Sequence, residues 1–440
     1  MTTAKTLDVA IIGAGITGVS LGLGLLRRNV NFTIYERASE LVEIGAGIGF
    51  TPNAERAMKE LEPRLHQCFR DVAVQNTDDW FRYVDGFHHN SADPTDATEK
   101  LICQIYLGER GFEGCRRSDF LLRVVDLLPK GCVKLGKCLE AEDAVSEDQV
   151  VLKFQDGSTA RADVVIGCDG INSGMRARMF GTRYPACQPA YAHKFAFRGL
   201  IPADKARGFL GDLKTSARFM HTGPDAHLLT FPVAAGKLIN VVAFVTDPNP
   251  WDGTEGRMVM PATKNDAVEA FKNFGPAVRH VISLLPEELD KWGVFDMYDN
   301  PLPAFVSGRL CLAGDAAHAS SPHHGAGAGC GIEDALALAE LFASVNQSSA
   351  SVPLAEQAAE ALAAYNEVRY ERAQWLVKSS RIVGEMYEWR HEETKDLGER
   401  WCQEFEARCH KIWDFDVGEM VQKALEMFRE KVSAKSLDLR

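Results

Sequence analysis

The chain has 440 residues, 46% hydrophobic, 25% charged and 9% aromatic, which is ordinary for a folded protein of two domains or one large one. A formal net charge of −12 argues against a nucleic-acid or anionic-membrane surface and otherwise signals only solubility. The eleven cysteines are scattered with no C-x-x-C pair, so reduced core thiols in a cytoplasmic protein are expected rather than a zinc ribbon or a disulfide framework.

The N-terminus shows no basic segment ahead of an apolar signal core, and Val9–Ile12 is far below the roughly 20 apolar residues that a spanning helix needs. Leu7 to Ile12 instead reads as a buried strand, followed by GAGITG, a helix over Val19 to Arg28 and a second strand over Val30 to Tyr35. A strand, turn, helix and strand in this order make a βαβ unit, whose right-handed crossover demands a parallel sheet. Gly13, Gly15 and Gly18 form G-x-G-x-x-G at the turn, and Glu36 ends the second strand. Such a turn lets a pyrophosphate approach the backbone at a helix N-terminus, while the acid accepts hydrogen bonds from a ribose. The alternative is a purely structural glycine turn, against which the register of both strands and the acid weighs.

Residues 72–104 are polar, rich in Asp and aromatics, and without a clean period. CRRSDFL (115–121) puts Arg117 at an apparent helix start, where it could pair a phosphate oxygen or make a surface salt bridge. DVVIGCDGINSGMR (163–176) repeats the strand-then-glycine form, with Asp169 and Gly170 turning the chain and Arg176 on the next helix. From about 189 to 300, the runs FAFRGLI, HLLTFPV and LINVVAFVTD suit a mostly antiparallel sheet, with helices over 265–275 and 276–285.

GRLCLAGD (308–315) returns to a buried strand that enters a glycine-rich loop. Asp315 stands where it can bind a polyol chain, which FAD has and NAD lacks. Small residues from Gly325 to Gly331 admit a flat ring, and a helix starting near Gly331 aims its positive end at that ring's pyrimidine edge. Helices then run from Glu333 to Val345 and on to 440, with SSASVP (348–353) as a surface loop. The fold class expected is α/β: an FAD-binding Rossmann-type domain (1–75, 105–188 and 300–345) interleaved with a mostly antiparallel-sheet substrate domain (76–104 and 189–299), plus a C-terminal helical region (346–440).

The ordered motifs GAGITG with Glu36, EIGAGIGFTPNA (43–54), RSDFL (117–121), ADVVIGCDGINS (162–173), GDAAH with Pro322 and Gly325, and EDA (333–335) resemble the single-component flavoprotein aromatic hydroxylases. The likeness covers residues 8 to about 381. Within that family, YLGERGFEGCRRSDFL (106–121), DPNPW (247–251) and ASSPHHGAGAGCGIEDA (319–335) are most similar to salicylate hydroxylases, especially fungal ones. Arg116 departs from the histidine that relatives often carry there, which warns against assuming an identical pocket.

The resemblance implies non-covalent FAD, with NADH or NADPH as cosubstrate, and dioxygen and a small aromatic compound as reactants. It implies that Glu36 holds the adenosine ribose, Arg117 the phosphates or ribityl, and Asp315 the ribityl, with Asp169 in a segment shared by FAD and NAD(P)H. The expected cofactor-binding residues are therefore Gly13, Gly15, Ile16, Thr17, Gly18, Glu36, Arg37, Gly47, Arg117, Asp169, Asp315, Gly325, Gly327 and Ala328. A single complete glycine fingerprint is expected, because the nicotinamide has no Rossmann domain of its own in this family. GAGIGF (45–50) and GAGAGC (325–330) each lack the final glycine, which argues against a two-nucleotide disulfide reductase.

The chemistry needs a cation or donors for a phenolate or carboxylate inside apolar walls. Arg198 and Phe231 on the middle sheet, with Pro322 and His323 from the flavin loop, are the candidates. Arg198, Pro322 and His323 are also read as catalytic, although Arg198 could be a structural ion pair and His323 a loop residue without catalytic duty. No metal site is expected from His318, His323 and His324, since no acidic ligand is suitably interleaved. Arg369, Arg372 and Arg381, on an amphipathic helix over 365–381, read as scaffold. The long C-terminal helices could make a homodimer or cap the substrate entrance, and the sequence supports either.

Overall fold

A computed structural model describes residues 6–41, 47–76, 79–89, 93, 95–107, 111–146, 149–181, 188–253, 257–395 and 397–438. The strand Asp8–Ile12 is apolar and buried on both faces, as a central parallel strand must be. It pairs in parallel with Asn31–Tyr35 on one side and Val164–Gly167 on the other. Leu310–Leu312 joins in parallel beyond Val164–Gly167, so both glycine-rich loops leave the same end of one sheet. Val133–Lys134 and Val306–Ser307 complete the six strands.

A second sheet of eight strands takes Trp80–Asp85 and Lys100–Tyr106 from the polar stretch and six strands from between Ala190 and Asp296. Its pairs are antiparallel, except that Arg218–Gly223 runs parallel to Trp80–Asp85. Because strand residues alternate faces, the register sorts the side chains. Phe197, Leu228, Val241 and Ala243 face helices Ala203–Ser216, Lys264–Ala270 and Pro276–Ser283, forming one closed apolar core. Arg198, Val242 and Leu229 sit opposite one another on the other face, as do Leu200, Asn240 and Phe231 one rung along. The chain thus interleaves a parallel nucleotide-type sheet with a mostly antiparallel one.

Three features differ from the expectations. A three-stranded antiparallel meander, Leu139–Ser146, Gln149–Phe154 and Thr159–Ala162, occupies a segment without a clear sequence signal. The helix after the second glycine loop opens at Gly327 rather than near Gly331, and runs to Gln347. The 365–381 helix is the inner part of one 34-residue helix, Leu354–Tyr387. Its apolar side is buried, and the helices Glu399–Trp413 and Val417–Asp438 pack on as well, with Trp401 fully buried against Tyr387, Phe405 and Tyr83. Among the described residues, no helix is long and apolar enough to cross a membrane. The ten described cysteines are free thiols, and Cys187 lies outside the described residues.

Candidate functional site

The first glycine loop is held by backbone contact. Gly13 has φ +104°, and a Cβ there would fall 2.5 Å from the Cys168 carbonyl oxygen, so only glycine lets the first and third strands close together. Gly15 differs: a Cβ there would meet nothing within 4 Å, and as N-cap of Ile16–Arg27 it offers no side-chain cap to the helix N–H groups. A glycine facing open space at an uncapped helix start is a cradle for a phosphate. Gly18 lies against the Gly13 carbonyl, and Ile16 is buried beneath the loop. The Glu36 carboxylate accepts from the backbone N–H groups of Ala14 (2.7 Å) and Ala38 (2.8 Å), which fixes it beside this cradle. Arg37 is exposed next to it.

Thr17 joins this loop to the second one. Its Oγ1 fills the space that a Cβ at Gly314 or Gly331 would need, at 2.5 and 2.3 Å. Gly314 leads into the short helix Asp315–His318, where the Asp315 side chain is exposed at the lip. The fully buried Arg176 guanidinium donates to the carbonyls of Asp315, Ala316 and Ile171, so it clamps the loop from below. Asp169 accepts from Ser173 Oγ (2.5 Å) and Met175 N–H (3.0 Å), so it braces the start of Gly174–Phe180. After the exposed Pro322, Gly325 turns the chain at φ +63°. The helix Gly327–Gln347 begins at Ala326 without a side-chain cap, and a Cβ at Gly327 would lie 3.9 Å from an Asp315 carboxylate oxygen. Ala328 is half-buried in its first turn. Two uncapped helix starts, a Cβ-free floor, a fixed carboxylate and an exposed one fit the pyrophosphate, ribose and polyol of FAD.

Beneath the second loop, His318 Nε2 is 2.6 Å from Asp334, and the Gly314 N–H donates to the same carboxylate. His318, Cys330 and Asp334 bring three ligand-type atoms within 4.8 Å of one another. Arg369 already supplies the cation there, donating to Asp334 at 2.7 Å and to Cys330 Sγ at 3.0 Å. The group therefore suits a charge-balanced support better than a metal. Arg372 pairs with Glu333, and Arg381 with Asp296 and Asp299, so all three arginines of this helix are engaged in ion pairs.

The inner face of the eight-stranded sheet carries Arg198 and Phe231. Arg198 is half-buried with its guanidinium 5.3 Å over the Trp292 ring, and its Nε has no hydrogen-bond partner. Burial, together with the nearby charge of Arg117, lowers its pKa. Phe231 is buried against the short ribbon Gly47–Phe50/Glu113–Arg116: a Cβ at Gly47 would lie 3.1 Å from its ring, and one at Gly114 2.6 Å. Gly47 is thereby placed against the sheet face, beside Phe231 and Asn240.

The His323 ring lies 5.2 Å from that of His227 and 5.0 Å from that of Phe244, and against Gly384 of the long helix. Burial first, then the neighbouring charges of His227 and Lys194, pushes its pKa well down, and neither ring nitrogen has a hydrogen-bond partner. His227 itself donates into a buried network with Glu388, Lys194 and Thr246. The sequence reading missed this network, as well as Trp292 and Asn240. Asn240 left a trace, being the lone amide inside the apolar run LINVVAF.

Comparison with known proteins agrees with this architecture. A family model described as "FAD binding domain" matches residues 137–380. The chain is 53% identical over 429 residues to "FAD-dependent monooxygenase pigN" of Monascus ruber, covering 97% of this chain and 98% of that protein. It is 50% identical over 438 residues to "FAD-dependent monooxygenase orf3" of Aspergillus niger, with coverage of 97% and 98%. A solved structure described as "Salicylate hydroxylase substrate complex" superposes with a TM-score of 0.83 at 33% identity, covering 96% of this chain and 98% of that one. The chain belongs to the FAD-binding aromatic hydroxylase family and is an FAD-dependent monooxygenase of the salicylate hydroxylase-like kind.

Proposed function

We propose that the enzyme uses NADH or NADPH and dioxygen to hydroxylate a phenolic aromatic acid, with salicylate the leading candidate. Salicylate would give catechol, water and carbon dioxide, one oxygen atom entering at the carbon that loses the carboxylate. FAD, bound non-covalently, would supply with the nicotinamide and dioxygen the electrophilic oxygen atom. The chain's own task is to bind the ring as a phenolate, turn it toward the cofactor and exclude water.

The observation that carries this reading is Arg198. A guanidinium drawn partly out of water, with an unpartnered Nε, is stabilised by an anion, and its charge in turn lowers the pKa of a phenol bound there. Leu229, Val242 and Phe231 on the same face supply apolar contact for the ring. Gly13, Gly15, Ile16, Thr17, Gly18, Glu36, Arg37, Gly47, Arg117, Asp169, Asp315, Gly325, Gly327 and Ala328 are the proposed FAD set. Arg198, Phe231, Pro322 and His323 are the proposed substrate side.

A second reading is dearomatising hydroxylation of a larger phenol of polyketide type. The relatives at 50 and 53% identity are named only as FAD-dependent monooxygenases, whereas the salicylate hydroxylase structure stands at 33%. The test is a panel of phenolic acids and larger phenols, following oxygen and NAD(P)H consumption together and identifying the products. Catechol and carbon dioxide from salicylate support the first reading. Absence of salicylate-stimulated NAD(P)H oxidation, with a dearomatised product from a larger phenol, supports the second.

A further inference from the structure

Asn240 lies in the strand Leu238–Thr246, opposite Leu200 on one neighbour and Phe231 on the other. Its side chain is 5% exposed, and its Nδ2 has no hydrogen-bond partner. A buried amide left unpaired keeps its full desolvation penalty, so a strand otherwise rich in Ile, Val, Ala and Phe keeps one only where something else satisfies it. The Oδ1 end is accounted for by packing: a Cβ at Gly47 would come within 2.7 Å of it. The oxygen thus faces the ribbon at Gly47, and the unpartnered NH₂ is the end left for a ligand.

The position relates Asn240 directly to Arg198. Arg198 faces Val242, and Asn240 is two residues before Val242 on the same face, one diagonal step away. Diagonal neighbours on one face are about 7–8 Å apart, close enough for a long and a short side chain to reach adjacent substituents of one ring. Arg116, paired with Gly47 in the ribbon, also has a buried Nε without a partner. Three strands therefore turn donors lacking acceptors toward one region, and none of the three brings a carboxylate there.

We infer that Asn240 is a substrate-positioning residue whose Nδ2 donates to a second oxygen, a carbonyl or carboxylate, on the carbon next to the phenolate held by Arg198. This rests on the proposed reading of Arg198 and adds to it the residue that reads the substituent beside the hydroxyl. The adjacency fixes ring rotation as well as affinity, because two donors on one face admit the ring in one orientation.

The test is equilibrium binding to the oxidised holoenzyme, read from the flavin absorbance, for 2-hydroxyacetophenone and phenol, which have similar acidity. The intact enzyme is expected to prefer 2-hydroxyacetophenone. Asn240→Leu should weaken that ligand on the order of 10-fold while leaving phenol within about twofold. FAD content and the unfolding midpoint of the variant serve as the check on folding. Equal loss for both ligands, no loss for either, no initial preference, or loss of FAD instead of ligand would each overturn the assignment. Arg198→Gln separates the two ideas. If it weakens both phenols while Asn240→Leu changes nothing, Arg198 keeps its role and Asn240 loses its own; if Arg198→Gln weakens neither, the phenolate reading itself fails.

Discussion

Arg369 of the Leu354–Tyr387 helix donates through Nε to Asp334 of the Gly327–Gln347 helix at 2.7 Å, with both side chains fully buried. The same guanidinium bonds Glu333 at 2.7 Å, and Asp334 in turn accepts from His318 and the Gly314 N–H. One arginine on the C-terminal side thus bridges Asp334, which holds the second glycine loop, and Glu333, which it shares with Arg372. Burial opposes the ionisation of Asp334, but His318 and Arg369 outweigh it and hold the carboxyl well below the usual range.

Arg369→Met is accordingly expected to destabilise the protein by about 3–5 kcal/mol, because it leaves two buried carboxylates with less compensation. Urea unfolding of the holoenzyme measures this. A loss below about 1 kcal/mol would mean that the acids take up protons or water at little cost. Arg390→Met, whose partners Asp225 and Glu385 are both partly exposed, should cost less.

Replacement of Arg198 by Gln is expected to reduce kcat/KM for a phenolic substrate about 10- to 100-fold, the range for a charged hydrogen bond. FAD content should be unchanged, because the side chain lies over Trp292 on the sheet rather than in the glycine loops. Unaltered steady-state kinetics would remove the cation from the substrate side.

Much of this arrangement is legible in the sequence, and the reason is local. Gly13, Gly15 and Glu36 act through turns and strand ends that their own segments dictate, so spacing alone locates them. Asp315 is legible for the same reason, since it follows directly on a buried strand. What failed to show were contacts made across the fold. His323 sits two residues from Gly325, yet Gly384, Phe244 and His227 decide where its ring goes. Arg369 and Asp334 are 35 residues apart and meet because two helices pack. The meander between Leu139 and Ala162 was hidden because its strand Leu139–Ser146 is rich in acidic residues and lacks a clear apolar alternation.

Acid sensitivity should arise in part from His324. Its Nε2 is 2.9 Å from Ser379 Oγ, and burial, aided by the charge of Arg408, pushes its pKa down to about 3. A base whose folded pKa is depressed contributes stability that is complete above its unfolded value, about 6.5, and is lost as pH falls toward the folded value. His227 and His323 shift in the same direction. Unfolding midpoints should therefore decline from about pH 6.5 downward, and His324→Gln should make the decline shallower. An unchanged slope between about pH 6.5 and 4 would show that this imidazole takes up its proton in the folded state.

The two glycines of the first loop should separate folding from cofactor binding. Gly13→Ala places a Cβ 2.5 Å from the Cys168 carbonyl oxygen at φ +104°, so the strands must part or the turn must distort. A cost of at least about 1–3 kcal/mol is expected in the apoprotein itself. Gly15→Ala meets nothing within 4 Å and removes no hydrogen bond, so apoprotein stability should stay within about 0.5 kcal/mol. Its added methyl group, however, occupies the space at the helix start where a phosphate must approach the N–H groups, and FAD affinity should drop on the order of 10-fold or more. Apoprotein unfolding and FAD titration, run on both variants, distinguish the two effects. If Gly15→Ala binds FAD normally, the pyrophosphate does not lie over this turn, and the open space beside Gly15 has another use.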